Sequence, residues 1–274
     1  MGVRTPSYQA GFYAPERGGR AAYPGLWRGC VGAWNPGLGQ SGLVLRDWGG
    51  RKNHGTLTNG PVWSTSTGRQ ALSFDGVNDY VGIGDVASLK ITGAITLSVW
   101  VKRGAILGTL QGVLSKGGGG GGAGYAPYTL VWNHDNGMYF LQSTTGDDWH
   151  TLILSSTKIT DTNWHHIVAT NNLTTARLYI DNVAENTDTN PALLLWDNTR
   201  PVLIGAEHDG SILRRFNNGF IDDVRIYNRA LSTSEIKLLF QHPGIAYELA
   251  PRKFYSLPLP PSSARLRRLL TGAT

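Results

Sequence analysis

The stretch Ile221-Asp222-Asp223-Val224-Arg225-Ile226-Tyr227-Asn228-Arg229-Ala230-Leu231-Ser232-Thr233-Ser234-Glu235-Ile236 holds a strand, a turn and a helix start in one segment. Ile221, Val224, Ile226 and Tyr227 are β-branched or aromatic and favour extended backbone. Ser232 and Glu235 have capping-box spacing, with the apolar Leu231 just ahead of them. A helix is therefore predicted to begin at about Thr233. It should run to Phe240, with Pro243 closing it.

Upstream, the pattern is strand after strand. Ile95, Leu97, Val99 and Val101 alternate with Thr96, Ser98 and Trp100, so the two sets face opposite ways. Further strands are expected at Leu72–Phe74, Val77–Val81, Gly112–Lys116, Tyr128–Trp132, Gly137–Gln142, Thr151–Leu154, Trp164–Thr170, Ala176–Ile180, Val202–Gly205 and Phe220–Tyr227. A further strand should follow the turn-rich run Asp47–Leu57. Asp181-Asn182 marks a hairpin turn. Gly117 to Gly122 reads as a flexible tip between hairpin partners. A phosphate cradle is a poor reading of it, because no Lys-Ser/Thr and no helix follows. One short helix among many strands predicts an all-β jelly-roll sandwich.

The chain has 274 residues, a charged fraction of 16% and a formal net charge of +6. The charge sits at the ends. Residues 1–29 carry Arg4, Arg17, Arg20 and Arg28 against Glu16, and residues 248–274 carry Arg252, Lys253, Arg265, Arg267 and Arg268 against Glu248. The middle is close to neutral, so it has no nucleic-acid footprint. Cys30 is the single cysteine and is expected to be a buried, inert thiol. The N-terminus lacks the apolar core of a secretory signal, and no apolar run is long enough to span a membrane. A protein made in the cytoplasm and kept out of membranes is expected.

Three regions follow: an arm at 1–29, a domain at 30–246 and a Pro-rich basic arm at 247–274. Tyr8, Phe12 and Tyr13, with Arg17 and Arg20, suit an arm laid on another surface. A strap across its own domain is the competing reading. In the C-terminal arm Arg252, Lys253, Phe254 and Tyr255 precede a proline-rich stretch. A short helix is then capped by Ser262-Ser263, with Leu266 and Leu269 on one face beside Arg267 and Arg268. A helix this short needs a partner to order it.

From about Leu43 to Phe240 the chain resembles the laminin-G-like jelly-roll family of the concanavalin A-like superfamily. Asn53-His54-Gly55-Thr56-Leu57, Leu72 to Val81, Thr96 to Lys102, Trp164 to Thr170 with Leu178 to Asp181, and Phe220 to Glu235 match its motifs in order. The resemblance implies a two-sheet sandwich with a curved face. The ends look like those on such domains in phage-type virion proteins. Relatives often hold Ca²⁺ through loop carboxylates and carbonyls, which nominates Asp75, Asp79, Asp222 and Asp223. The same carboxylates could instead accept backbone N–H groups in their turns.

Glucanases of the superfamily carry a Glu-x-Asp-x-Glu strand, which is absent here, and glutamate is scarce. No catalytic residue is assigned and no enzyme is expected. Trp132, Asn133, Asp135, Trp149, His150, Trp196 and His208 combine rings with hydroxyl acceptors on loops, the composition of a glycan or partner contact. Ordinary polar loops around half-buried tryptophans would give the same composition. His165 and His166 face opposite sides of their strand and cannot share a site.

The expectation is a non-enzymatic module on a virion surface or similar assembly, such as a decoration or head or tail protein. Its arms would anchor it to neighbouring subunits, and it would be oligomeric in that setting. A stand-alone lectin with Ca²⁺ is the alternative, and a divergent glycoside hydrolase a third.

Overall fold

In a computed structural model the described residues are 23–118, 126–146, 150–191, 195–209 and 212–244. In chain order they form β1 (Cys30–Trp34), β2 (Val44–Leu45), β3 (Gly55–Thr58), β4 (Val62–Ser64), β5 (Ala71–Asp75) and β6 (Tyr80–Gly84). Next come β7 (Ile95–Arg103), β8 (Gln111–Lys116), β9 (Tyr128–Trp132), β10 (Met138–Gln142) and β11 (Thr151–Leu154). Then follow β12 (Trp164–Asn171), β13 (Ala176–Ile180), β14 (Val183–Asp188) and β15 (Val202–Ile204). The chain continues through β16 (Glu207–Asp209), β17 (Ile212–Arg214), β18 (Asn218–Tyr227) and helix α1 (Thr233–Gln241).

One sheet has the order β14-β13-β12-β7-β18-β5-β4, with β1 also on β18. The first half of β18 pairs with β5 and the second half with β1. The other sheet has the order β11-β10-β9-β8-β15-β6-β3-β2. Neighbouring strands are antiparallel throughout. This is the predicted all-β sandwich with one short helix near its end.

The alternation in β7 sets the layers. Ile95, Leu97, Val99 and Val101 enter the core between the sheets, with Leu130, Trp132, Phe140, Val202 and Ile204 facing them. Thr96, Ser98 and Trp100 face away and are also buried, because α1 and the segment from Tyr23 lie over that side. Leu26, Val168, Tyr179, Tyr227, Leu231, Ile236 and Leu239 form this second apolar layer. The capping box is present: Ser232 Oγ accepts from Glu235 N–H at 3.3 Å, and Glu235 Oε2 accepts from Ser232 N–H at 2.9 Å.

Arg229 fastens the chain's early residues to α1. Its guanidinium donates to Glu235 at 2.7 and 2.9 Å, to Arg28 O at 2.7 Å and to Gly25 O at 2.9 Å. Of the expected 1–29 arm, residues 23–29 therefore lie against the sandwich. Cys30 is buried, and its Sγ–H donates to Gly32 O at 3.4 Å. Burial pushes the thiol up to about 12, which keeps it protonated and unreactive.

Three local features have physical causes. The strand expected from Val77 begins at Tyr80, because Asp75 Oδ1 accepts from Val77 and Asn78 N–H and holds those residues in a turn. Asp181 and Asn182 both take positive φ, 51° and 65°, which gives the tight hairpin between β13 and β14. A further hairpin, β16–β17, lies across β8. Gly112 N–H donates to Arg215 O at 2.6 Å and Ser115 Oγ–H to Ala206 O at 3.0 Å.

Candidate functional site

The four nominated Ca²⁺ ligands fall in two separate settings. In the turn after β5, Asp75 accepts backbone N–H bonds that hold its carboxyl below the usual range. Asp79 Oδ2 accepts from Asp75 N–H at 3.0 Å, and burial raises its carboxyl. On β18 a bulge lies between Asp222 and Arg225 and contains Asp223, at φ 45°. Arg69 donates to Asp222 from Nε and Nη2 at 2.9 and 2.7 Å. Arg225 clasps Asp223 at 2.9 and 3.1 Å. Both arginine–aspartate pairs are buried beneath the α1 layer. Asp222 and Asp223 do not fit a Ca²⁺ site, since an arginine already neutralises each carboxylate. Among the described residues no group of three or more His, Cys, Asp or Glu is arranged to hold a metal.

The loop residues nominated for glycan contact are also dispersed. Trp132 is not a surface platform: it is 1% exposed and packs in the main core. The reason is its place on β9, where Tyr128, Leu130 and Trp132 all point inward. The Arg103 guanidinium stacks on the ring at 4.8 Å. Asn133 is buried, and its amide donates to Asp135 Oδ1 at 2.8 Å. Exposed Asp135 pairs in turn with Lys158.

His150 and Trp196 lie at the opposite end of β10. His150 N–H donates to Gln142 O at 2.9 Å and Trp196 N–H to Ser143 O at 3.0 Å. His150 is exposed, and Trp196 is half-buried over Gly146. His208 is half-buried on the β16–β17 hairpin, and burial lowers its imidazole. Trp149 lies outside the described residues, as do Tyr8, Phe12, Tyr13, Arg17, Arg20, Arg252, Lys253, Phe254, Tyr255, Leu266, Arg267, Arg268 and Leu269.

His165 and His166 separate as the strand requires. His165 bonds Asp181 at 2.7 Å and Asp161 at 3.0 Å. His166 points beneath α1, with its Nε2 2.9 Å from Ser98 Oγ and its ring clustered with Trp100 and Phe240 at 5.0 and 6.3 Å.

A different feature is assembled by the fold. A polar cleft of about 370 Å³ opens between Arg51, the turn Ala87–Lys90, residues 91–94 and Asn228. Asp47 braces one wall from behind. Its buried carboxylate accepts from Ala33, Gly49 and Asn53 N–H at 2.9, 2.7 and 2.9 Å, which fixes the loop that carries Arg51. Asn53 joins that loop to the opposite wall through Ser88, and to β1 through Val31 O at 2.8 Å.

Lys90 links the cleft to a neighbouring charge cluster. Its ammonium lies 3.0 Å from Asp85 and 3.2 Å from Asp197. Buried Lys116 also donates to Asp85 at 2.8 Å, and to the carbonyls of Asn198 and Arg200 at 3.0 and 2.8 Å. The sequence reading missed this cleft. Asn53 was visible only within the Asn-His-Gly-x-Leu run, as a fold marker.

The Laminin_G_3 family model, described as concanavalin A-like lectin/glucanases superfamily, matches residues 75–237. No curated protein sequence matches the chain. Among solved structures, the binding domain of Paraclostridial mosquitocidal protein 1 is similar at TM-score 0.61 and 20% identity, over 78% of this chain and 52% of that one. The receptor binding domain of botulinum neurotoxin D is similar at TM-score 0.60 and 13% identity, over 79% and 53%. A Trypanosoma rangeli sialidase mutant displaying trans-sialidase activity matches at TM-score 0.60 and 18% identity, over 86% and 36%. The chain thus spans about half the length of the two toxin chains and about a third of the sialidase. At these identities the likeness is one of fold.

Proposed function

We propose that this chain, which belongs to the Laminin_G_3 family of the concanavalin A-like lectin/glucanases superfamily, is a non-catalytic binding module that contacts a glycan or protein receptor. One observation carries the reading. The buried carboxylates of Asp222, Asp223 and Glu207 each bond an arginine: Arg69, Arg225 and Arg215. A glycoside hydrolase needs one carboxyl free to give a proton and a second free to act as base or nucleophile. Buried and bonded to guanidinium groups, these three carboxyls are closed to a substrate. The two toxin domains are a binding domain and a receptor binding domain, which supports the reading by fold analogy. The sialidase likeness favours hydrolysis only at the level of fold.

The finer proposal places the module on the surface of a virion or similar assembly, with its terminal segments tying it to other subunits. The basic, aromatic and proline-rich ends of the sequence support this. Deleting residues 1–22 or 245–274 separates anchoring from folding, because 23–29 pack on the sandwich and stay in place. Each truncated chain should keep its melting temperature and lose incorporation into particles. Incorporation that survives both deletions would overturn the anchoring role. A glycan array read with and without EDTA should show EDTA-insensitive binding, and no array sugar should be hydrolysed. Turnover of any of them would overturn the non-catalytic reading.

A further inference from the structure

A second, smaller pocket lies between the start of α1 and the face of β12 and β13 that carries the second apolar layer. It measures about 190 Å³, and its lining includes Thr170, Arg177, Tyr179 and Thr233. Strand register puts the first three on one face. Thr96, Thr170 and Arg177 lie in one row across β7, β12 and β13, and Tyr179 stands two residues from Arg177 on the same side. Thr96 also fixes the opposite wall. Its Oγ1–H donates to Arg229 O at 2.8 Å, and Oγ1 accepts from Leu231 N–H at 2.9 Å. That holds the turn into α1 over the sheet before anything binds.

The polar groups of this pocket are left without partners by the fold. Thr170 and Tyr179 are each 6% exposed, and neither hydroxyl has a hydrogen-bond partner among the described residues. Neither is sealed in, unlike the hydroxyl of Tyr227, so both reach the pocket. Arg177 is exposed, and no hydrogen bond or ion pair among the described residues engages it. Thr233 N–H, in the first turn of α1, also lacks an acceptor among them, because the Ser232 cap takes the Glu235 N–H.

These groups are donors, and no carboxylate lines the pocket. The acid in the first turn, Glu235, is already bonded to Arg229 at 2.7 and 2.9 Å and opposes an incoming anion little. The helix start adds partial positive charge. A planar carboxylate has two oxygens for such a ring of donors, whereas a tetrahedral anion has enough for all of them. The volume is below the range of whole small-molecule sites, which suits one charged group.

We propose that this pocket binds a phosphate group, as the free ion or as a phosphate monoester. Arg177 neutralises it, and Thr170, Tyr179 and Thr233 N–H donate to its oxygens. The assignment does not depend on the receptor reading, since glycan or protein binding elsewhere on the module leaves it untouched.

The test is isothermal titration of the full chain with inorganic phosphate, phenyl phosphate and acetate at neutral pH and matched ionic strength. Phosphate should bind at least tenfold more tightly than acetate. Arg177→Gln should weaken it at least tenfold, and Tyr179→Phe, which deletes only the hydroxyl, at least threefold. Both variants should keep their melting temperature, since neither group holds anything in the fold. Phenyl phosphate binding as well as the free ion identifies a monoester as the ligand; inorganic phosphate binding alone identifies the ion. No phosphate binding at millimolar concentration, acetate binding as tightly, or phosphate binding untouched by Arg177→Gln would each overturn the assignment. Binding lost with Arg177 but unchanged in Tyr179→Phe would also overturn it, because the anion would then sit on the open surface and not in the pocket.

Discussion

Asn53 and Ser88, 35 residues apart, exchange two hydrogen bonds: the amide Nδ2–H donates to Oγ at 2.8 Å, and the hydroxyl returns its proton to Oδ1 at 3.1 Å. The same Nδ2 donates to Val31 O, and Asn53 O accepts from Trp34 Nε1–H at 2.8 Å. One buried amide therefore joins β1, the basic loop and the turn before β7. Asn53→Ala leaves the Val31 carbonyl and the Ser88 hydroxyl without these partners. It should lower the unfolding free energy by about 2–3 kcal/mol, the cost of stranding buried polar groups. Urea denaturation measures it, and a loss below about 0.5 kcal/mol would mean that water replaces the amide.

The Arg69–Asp222 pair tests the buried charges. Arg69 lies under α1, with its guanidinium over Trp100 at 4.3 Å and Trp164 at 5.2 Å. Removing one partner of such a pair leaves an uncompensated charge, whereas replacing both with apolar groups often restores stability. Arg69→Met should destabilise by about 3–5 kcal/mol at pH 7. Adding Asp222→Leu should recover most of that. A double variant as unstable as the single one would show that Arg69 acts through its ring contacts and not its charge.

What was legible in the sequence follows from how each element is held. β7 announced itself because it is buried on both faces with different chemistry, apolar inward and Thr, Ser and Trp outward. The capping box of α1 is local and depends only on Ser232 and Glu235. β14, with the sequence Val-Ala-Glu-Asn-Thr-Asp, gave no signal. It is an edge strand with mostly exposed side chains, held by its backbone ladder to β13. Trp132 was misread because Asn133-His134-Asp135 follows it, although its spacing of two from Leu130 and four from Tyr128 puts it in their row. The cleft was illegible because its walls come from residues near 31, 51, 88 and 228, which only the folded chain brings together.

The β16–β17 hairpin depends on a glycine for its approach to the sheet. A Cβ on Gly112 would meet the carbonyl carbon of Ala206 at 2.4 Å and its oxygen at 2.6 Å. Both are backbone atoms and cannot swing aside. Gly112→Ala should cost about 2–3 kcal/mol by overpacking, and hydrogen exchange should speed up in Glu207–Arg214 more than in β7. Gly25→Ala, where a Cβ meets nothing within 4 Å, serves as the control and should leave both measurements unchanged. Uniform exchange throughout the Gly112 variant would show that the hairpin and sheet open as one unit.

His166 and Asp222 give the pH dependence two opposing slopes beneath the same helix. Burial drives the His166 imidazole down to about 3, with Arg69 and Arg225 opposing its protonation and Asp223 and Asp181 favouring it. In the unfolded chain it titrates near about 6.5. Between those values the unfolded state holds one more proton, so stability falls as pH falls, at about 1.4 kcal/mol per unit. Asp222 runs the other way. Burial raises it to about 6 against the pull of Arg69. Between about 4 and 6 the folded state holds the extra proton, and this contribution grows as pH falls. The two slopes offset each other in that window, while His166 acts alone between 6 and 6.5 and again below 4. His166→Gln removes one of them and keeps a group able to bond Ser98. Relative to the parent, the variant should gain stability steadily as pH is lowered from 6.5 to 4, in urea titrations at half-unit steps. Parallel curves for the two proteins would show that His166 reaches a proton in the folded state, and that the layer of Trp100, Phe240 and α1 opens to water.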